Sequence, residues 1–321
     1  MRVFVAAQTA FRKLLSYDPA RRRTRLPGPI YVQLQTVDGC NGACLMCPHA
    51  APTRPGQARV MEPALYERIL TELHAAGTVQ VLCLMLQNEP LLDPLLAERI
   101  RRARAVLGAR CQTAVVTNGA LLTPERTAEL LDAGLDWLDI SIDACREETY
   151  RAIRRGLDFA LVQENARRLL ANRRNAHVRI RFLTQRANEA ERDEFVRHWR
   201  SLGAHVFVSD VSNRAGALKG FARLRSTLPR GLHWRRAARA VAGRLAPACL
   251  APFTTLCVLV DGRVILCCQD WAHEETYGNL AEQPLPEIWN GPRLNEARHA
   301  LWQHRPEEVA LCRQCCRFGA G

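Results

Sequence analysis

The sequence has few lysines, few aromatic residues and no long uninterrupted apolar stretch. Only Lys13 and Lys219 are lysines, so arginine carries nearly all of the positive charge behind the net +13. Aromatic residues make up 6% of the chain and no basic stripe is interleaved with them, so charge alone does not indicate nucleic-acid binding. Apolar stretches such as residues 79–86 are strand-length, well short of the roughly 18 residues of a membrane span. We therefore expect a cytoplasmic protein with neither a nucleic-acid nor a membrane partner.

Cysteine, by contrast, is abundant and unevenly distributed. Of the thirteen cysteines, three lie in residues 40–47 and seven in residues 249–316. Disulfide frameworks belong mainly to small secreted domains, so clustered cysteines in a chain of 321 residues predict metal binding. The isolated Cys83, Cys111 and Cys145 are predicted to be small buried apolar residues.

Alternating strand and helix patterns predict a barrel between residues 31 and 211. Strands are expected over 31–36, 79–86, 111–117, 137–142, 178–184 and 205–211, with a helical pattern after each of the first five. Such a series predicts an α/β fold, a partial (β/α)6 TIM barrel with parallel strands and right-handed crossovers. Catalytic side chains are then expected in the loops that follow the strands.

The rest of the chain divides into three further segments. Residues 1–30 are predicted to form an N-terminal helical extension, because apolar and basic residues fall on opposite faces of a helix there. Residues 212–248 are arginine-rich and weakly helical, and they are predicted to be a linker. Residues 249–321 change character, with a hairpin, a short helix and a cysteine-rich tail, and they predict a small metal-dependent C-terminal module.

The first cysteine cluster is a C-x3-C-x2-C motif in the loop after the first predicted strand. Thiolates from Cys40, Cys44 and Cys47 on one short loop predict binding of three irons of a [4Fe–4S] cluster, with the fourth iron open to another ligand. A structural zinc site takes four protein ligands. His49 is close but does not offer a convincing fourth, because Pro48 intervenes.

This motif, after the first strand of a βα series, resembles the radical S-adenosylmethionine (SAM) superfamily over residues 31 to about 211. The resemblance implies that the open iron binds the amino and carboxylate groups of SAM. It also implies that an electron from a reductant such as flavodoxin or ferredoxin releases a 5′-deoxyadenosyl radical. Met46 is a departure, because many members carry an aromatic residue just before the last cysteine.

The same resemblance implies SAM-binding residues at the ends of later strands. The sequence Gln-Asn-Glu89-Pro is similar to the Gly-Gly-Glu-Pro motif that contacts the SAM amino group, and with both glycines replaced only Glu89 carries over. Asn118, Ser141 and Asp143 stand where the family contacts the methionyl and ribose parts. Arg181 is expected either to pair with the SAM carboxylate or to form a structural ion pair.

The second cysteine cluster, over residues 249–316, resembles the auxiliary-cluster SPASM/twitch module of radical SAM enzymes. The resemblance implies one auxiliary [4Fe–4S] cluster with Cys267, Cys312 and Cys315 as three of its ligands. The fourth ligand is Cys249 by family position or Cys257 by proximity. The two remaining cysteines of the segment are expected to pack around them.

Turn geometry leaves the choice of the fourth ligand open. A two-residue turn at Asp261-Gly262 pairs residue 257 with residue 266 and turns Cys257 away from Cys267. A three-residue turn with a bulge pairs residue 257 with residue 267 directly.

The overall length, the single auxiliary module and the first cysteine motif are similar to the radical SAM enzymes of aminoglycoside antibiotic biosynthesis. This resemblance implies an isomerase, a carbohydrate epimerase that inverts C5‴ of neomycin C to give neomycin B. A radical SAM dehydrogenase of an aminoglycoside alcohol is the alternative. A peptide maturase is less expected, because only about 30 residues precede the barrel.

An epimerase needs a thiol that returns hydrogen to the substrate radical. Cys249 is predicted to be this donor, with Cys257 as the fourth auxiliary ligand; if Cys249 is not the donor, it is the ligand instead. An aminoglycoside is a polycation, so acidic side chains are expected around it. The candidates are Glu147, Asp210, Asp270, Glu274 and Glu275.

Overall fold

A computed structural model of the chain describes residues 26–49, 51–228 and 247–318. Most of the predicted N-terminal extension and half of the predicted linker lie outside the described residues. Eleven strands occur in the described part. They are β1 (Tyr31–Leu34), β2 (Val37–Asp38), β3 (Arg59–Val60), β4 (Val81–Cys83), β5 (Gln112–Thr117), β6 (Trp137–Ser141), β7 (His177–Thr184), β8 (His205–Asp210), β9 (Thr255–Val258), β10 (Arg263–Ile265) and β11 (Gly278–Asn279).

The predicted partial barrel is confirmed. Strands β1, β4, β5, β6, β7 and β8 lie side by side in that order, and every neighbouring pair is parallel. Each falls within the corresponding predicted strand to within one residue. Because sequential parallel strands are neighbours, the loops at their carboxyl ends meet on one side of the sheet.

Helices follow the barrel strands as the sequence patterns predict. In chain order, the described α-helices are α1 (Pro63–Ala76), α2 (Leu96–Leu107), α3 (Pro124–Asp132), α4 (Glu147–Ile153), α5 (Phe159–Ala171), α6 (Arg192–Ser201), α7 (Phe221–Leu224), α8 (Ala251–Thr254), α9 (Leu285–Trp289), α10 (Pro292–Trp302) and α11 (Ala310–Arg313). None of the helices in this part of the chain combines the length and the apolar character needed to span a membrane.

Local signals explain the ends of the barrel helices. Thr123 caps α3 by accepting a hydrogen bond from Arg126 N at 3.1 Å, and Pro124 occupies the first turn. Gly77 ends α1 in the left-handed region at φ 62° and donates its N–H to the carbonyl oxygen of His74. The buried faces of these helices pack on the outward side chains of the strands, such as Val32 in β1, in one continuous core.

The second module extends the barrel sheet. Strand β9 runs parallel to β1, with Cys257 beside Gln33, and the hairpin β9–β10 then continues the same sheet antiparallel. Cys257 pairs with Ile265, and Leu259 N donates to Arg263 O at 2.9 Å across the turn. Both predicted pairings of Cys257 were therefore wrong, because residues 260–262 form a three-residue turn, with Gly262 at φ 88°, that places Leu259 opposite Arg263.

The described start of the predicted linker is a packing element. Leu218 and Phe221 form a small apolar cluster with Met46, Ile153 and Val211. Met46 is 3% exposed, so the residue that departs from the family pattern fills the space behind the first cysteine loop. Cys316 of the second module packs against this cluster, so the two modules are joined both by this cluster and by the β1–β9 pairing.

Candidate cluster and active site

The three cysteines of the first motif lie after β2, at the carboxyl end of the barrel strands. Cys40, Cys44 and Cys47 line one cavity of about 530 Å³, and none of them is in a disulfide. Gly42 N lies 3.5 Å and Asn118 Nδ2 lies 3.9 Å from Cys40 Sγ, and both donate to it. Thiolates bound to iron accept such N–H bonds, so this donor set is suited to a [4Fe–4S] cluster.

These thiols hold their protons when no metal is bound. Burial raises the pKa of Cys40 to about 12, and it is also the main reason that the pKa values of Cys44 and Cys47 are raised. Because iron binds the thiolate form, loading a cluster here releases protons.

An ion pair behind the loop fixes its position. Arg154 Nε donates to Asp143 Oδ2 at 2.8 Å, and Arg154 Nη1 lies 3.9 Å from Cys44 Sγ. Leu45 N donates to Ile153 O at 2.8 Å, immediately beside this arginine. The loop conformation is therefore set by the barrel itself, with a guanidinium held against one thiol.

Glu89 joins the ends of β4 and β5. Its carboxylate accepts from Thr117 Oγ1 at 2.6 Å, from Asn118 N at 2.8 Å and from Leu91 N at 3.1 Å. Burial raises the pKa of Glu89, which is 2% exposed. Glu89 and Asn118 both line the cavity, as expected of residues that contact SAM.

Ser141, Asp143 and Arg181 also line the cavity. Asp143 is fully buried, and besides the ion pair described above it accepts from Leu183 N at 2.7 Å. Arg181 Nη1 lies 3.5 Å from Asp139 Oδ2, a loose ion pair. We therefore propose that Asp143 acts chiefly by holding the cavity wall, whereas the Arg181 guanidinium is placed to receive an anionic group.

The second cysteine cluster is assembled from segments far apart in the chain. Burial first, and then the neighbouring Cys249 thiol, raises the pKa of Cys312 to about 12. Burial first, and then the adjacent Cys268 thiol, raises the pKa of Cys267. The nearby Cys249 and Cys312 thiols also raise it. The hydrogen bond with the adjacent cysteine raises the pKa of Cys315.

Cys257 faces a different side of the hairpin from Cys312. Its thiol donates to Gln33 Oε1 at 3.6 Å, within an apolar group that includes Leu86. Its strand neighbour Val258 packs in the main core, where Cys312 also lies. The Cys267 thiol is nevertheless close to Cys257. After burial and the Cys268 thiol, it is the next cause of the raised pKa of Cys257.

The two remaining cysteines occupy different surroundings. Cys316 accepts from Asn213 N at 3.4 Å and packs against the Met46 cluster, in keeping with its predicted packing role. Cys268 lines the cavity that also contains the first cysteine motif. The position of Cys268 at the cavity wall was not predicted from the sequence, because the resemblance to the SPASM/twitch module assigned the ligand role to its neighbour Cys267.

The predicted acidic residues divide into two groups. Glu147 lies apart from the main cavity and from its neighbouring pocket, because it pairs with Arg151 on the outer face of α4 and its side chain is 59% exposed. Asp210 lines the main cavity. A neighbouring pocket of about 270 Å³ is lined by Asp270, Glu274 and Glu275, and it shares Arg214 and Trp271 with the main cavity.

Several cavity residues were not among the site residues predicted from the sequence. They become visible only when the fold brings distant segments together, and they are His49, Gln87, Arg154, Arg214, Trp271 and Arg317. Their partners lie as far as 186 residues away in the chain, as for Gln87 and His273.

Two family patterns match the chain. Residues 34–198 match the Radical SAM superfamily, and residues 249–316 match SPASM, an iron–sulfur cluster-binding domain. The chain is 22% identical over 293 residues to the S-adenosyl-L-methionine-dependent 2-deoxy-scyllo-inosamine dehydrogenase of Niallia circulans, covering 88% of this chain and 91% of that protein. It is 32% identical over 142 residues to the GTP 3′,8-cyclase of Chlorobaculum tepidum, covering 44% of this chain and 41% of the cyclase.

Solved structures share the fold. BtrN in complex with AdoMet and 2-DOIA matches with a TM-score of 0.57 and 19% identity, covering 89% of this chain and 92% of BtrN. Streptococcus suis SuiB bound to the precursor peptide SuiA matches with a TM-score of 0.70 and 14% identity, covering 87% of this chain and 69% of SuiB.

Proposed function

We propose that this chain, which belongs to the radical SAM superfamily and has SAM and [4Fe–4S] clusters as its cofactors, is an isomerase. It would be a carbohydrate epimerase acting on an aminoglycoside antibiotic. The proposed reaction is inversion of C5‴ of neomycin C to give neomycin B. The first cluster, when bound with SAM, supplies a 5′-deoxyadenosyl radical that removes a hydrogen atom from the substrate carbon.

The surplus of thiols in the second module carries this proposal. One [4Fe–4S] cluster takes four cysteine ligands, and residues 249–316 hold seven cysteines, none of them in a disulfide. An epimerase needs one thiol beyond the ligands to return hydrogen to the opposite face of the carbon, whereas a dehydrogenase needs none. The surplus lies at the edge of the cavity, because Cys268 lines it directly and Cys249 contacts the cavity residue Arg317.

Cys249 is the proposed hydrogen-atom donor. Its S–H bond breaks as the new C–H bond forms, and the resulting thiyl radical takes up one electron from the reductant and one proton from solvent. Arg317 Nη1 lies 3.4 Å from Cys249 Sγ, and a guanidinium so placed stabilises the thiolate formed by electron uptake. The cluster would then be held by Cys267, Cys312 and Cys315, with Cys257 as the predicted fourth ligand. Cys257 neighbours Cys267, but its thiol would have to turn away from Gln33 to complete the set.

The position of Cys249 also supports the competing assignment as the fourth auxiliary ligand, because Cys267 and Cys312 are its neighbours. In that case Cys268 is the thiol best placed to face the substrate. Single alanine variants of Cys249 and Cys268 separate these assignments, since loss of a ligand lowers the iron content and loss of a donor does not.

The acidic pocket beside the main cavity is suited to an aminosugar cation. Asp270 and Glu274 line this pocket, and Asp210 lines the main cavity. We propose that these carboxylates bind the ammonium groups of the substrate and orient the target carbon toward SAM.

A dehydrogenase is the second candidate, favoured by one comparison. The 22% identity to the 2-deoxy-scyllo-inosamine dehydrogenase extends over 91% of that protein. A dehydrogenase would remove two hydrogens and pass the second electron to an acceptor.

Anaerobic assays with neomycin C in deuterium oxide distinguish the two reactions. The epimerase predicts 5′-deoxyadenosine together with neomycin B that carries one solvent deuterium at C5‴. A product lighter by two hydrogens contradicts the epimerase and supports the dehydrogenase. Paromamine, an aminoglycoside fragment without the C5‴ ring, is the matched control and should give no labelled product.

A further inference from the structure

The glutamine that replaces the first glycine of the SAM-contact motif reaches across to the second module. Gln87 follows β4 and is 4% exposed. Its Nε2 donates to Asp270 O at 2.5 Å and to Cys268 O at 3.3 Å. A glycine at this position has no side chain and would leave both carbonyl oxygens without this donor.

The other end of the Gln87 amide is also occupied. His273 Nε2 lies 2.6 Å from Gln87 Oε1 and donates to it, because the amide nitrogen is turned toward the two carbonyls. His273 N in turn donates to Asp270 Oδ1 at 3.0 Å. One side chain therefore binds three points of the segment 268–273, which is a loop without regular strand or helix.

The first cysteine loop joins the same network. His49, two residues after Cys47, donates from Nε2 to Gln87 O at 2.7 Å. The His49 ring also meets Trp271 edge to face, with ring centroids 5.1 Å apart. Residues from all three segments line the main cavity.

We propose that Gln87 is a positioning residue that fastens the segment 268–273 over the cavity and so sets where the substrate lies relative to SAM. The segment presents Cys268 and Trp271 to the cavity. Few backbone hydrogen bonds hold this segment. Among the described residues, Asp270 N donates to Cys267 O at 3.0 Å. Ser212 Oγ also donates to Gln269 Oε1 at 2.7 Å, and the Gln87 amide makes three further bonds to the segment.

Hydrogen–deuterium exchange of the reconstituted protein tests this inference without any substrate. In Gln87→Met, which keeps the length of the side chain but removes its donor and acceptor, amide exchange in residues 268–273 is expected to rise about tenfold, as for the loss of two to three hydrogen bonds. Gln283→Met, at an exposed glutamine of the same module, is the control and should leave this segment unchanged. Unchanged exchange in Gln87→Met, with the same iron content as the wild type, would overturn the proposal.

A second measurement rests on the proposed function and uses neomycin C. Gln87→Met and Gln87→Gly are expected to raise the ratio of 5′-deoxyadenosine to product about five- to tenfold and to raise the KM for neomycin C more than the KM for SAM. A proportional loss of both products with both KM values unchanged would contradict a positioning role. If the wild type does not convert neomycin C, the proposed function fails while the exchange experiment still decides the role of Gln87.

Discussion

The two cysteine clusters differ in how the chain builds them. The first places three thiols within eight residues on one loop, which is held by barrel contacts such as Leu45 N to Ile153 O. The second collects thiols from residues 249, 267, 312 and 315, which lie on three separate segments. The first cluster therefore has a site shaped by the barrel, whereas the second depends on its ligands to join its segments. The first generates the radical, and the second offers more thiols than one cluster requires.

Removing one cysteine of the first loop is expected to have the largest effect. Cys44→Ala should lower 5′-deoxyadenosine formation by more than about a thousandfold, because three cysteine ligands are required to leave one iron open for SAM. Iron analysis should show a loss of about four atoms per chain. Cys145→Ala, at a half-buried cysteine whose thiol donates to Glu191 O, should match the wild type. Normal 5′-deoxyadenosine formation by Cys44→Ala would contradict the assignment of the first cluster.

Removing a ligand of the second cluster should separate its role from that of the first. Cys312→Ala is expected to lose about four irons and to abolish product, while 5′-deoxyadenosine formation remains within about threefold of wild type because the barrel still holds the first loop. The melting temperature should fall by several degrees, since the cluster no longer joins three segments. Full iron content in Cys312→Ala would show that this cysteine is not a ligand.

The ion pair behind the first loop offers a smaller, quantitative test of a barrel-shaped site. Arg154→Met should lower the free energy of unfolding of the metal-free protein by about 3 kcal/mol, because it leaves the Asp143 carboxylate buried without its partner. Arg151→Met breaks an exposed pair with Glu147 and should cost less than about 0.5 kcal/mol. The free energy of unfolding is measured by anaerobic denaturant unfolding. Equal effects of the two variants would contradict the idea that the barrel shapes the site of the first cluster.

Removing iron from both sites should change local hydrogen exchange differently around the two cysteine clusters, and this is the smallest of the expected effects. Backbone amides around Cys312 and Cys315 rely on local bonds, such as Cys315 N to Cys312 O at 3.1 Å. We expect their hydrogen exchange to accelerate about tenfold on iron removal, with a change of less than about threefold for residues 43–47. Equal acceleration in both regions would show that the barrel does not preset the first loop.

The sequence allowed prediction of what depends on local spacing. The six barrel strands and the order Cys40, Cys44, Cys47 were readable because periodicity and motif spacing are properties of neighbouring residues. The pairing of β9 with β1 was not, because it joins segments over 220 residues apart, as Gln33 and Cys257 show. Glu147 was chosen for its charge, yet it lies on the solvent face of α4, where charge patterns carry no information about the cavity.

The iron content of reconstituted Cys249→Ala decides whether the second region holds one thiol beyond its ligands and uses it as the hydrogen donor. We expect the wild-type value of about eight irons per chain, with 5′-deoxyadenosine still formed and epimerisation lost. A loss of about four irons would make Cys249 the fourth ligand and would contradict its role as donor.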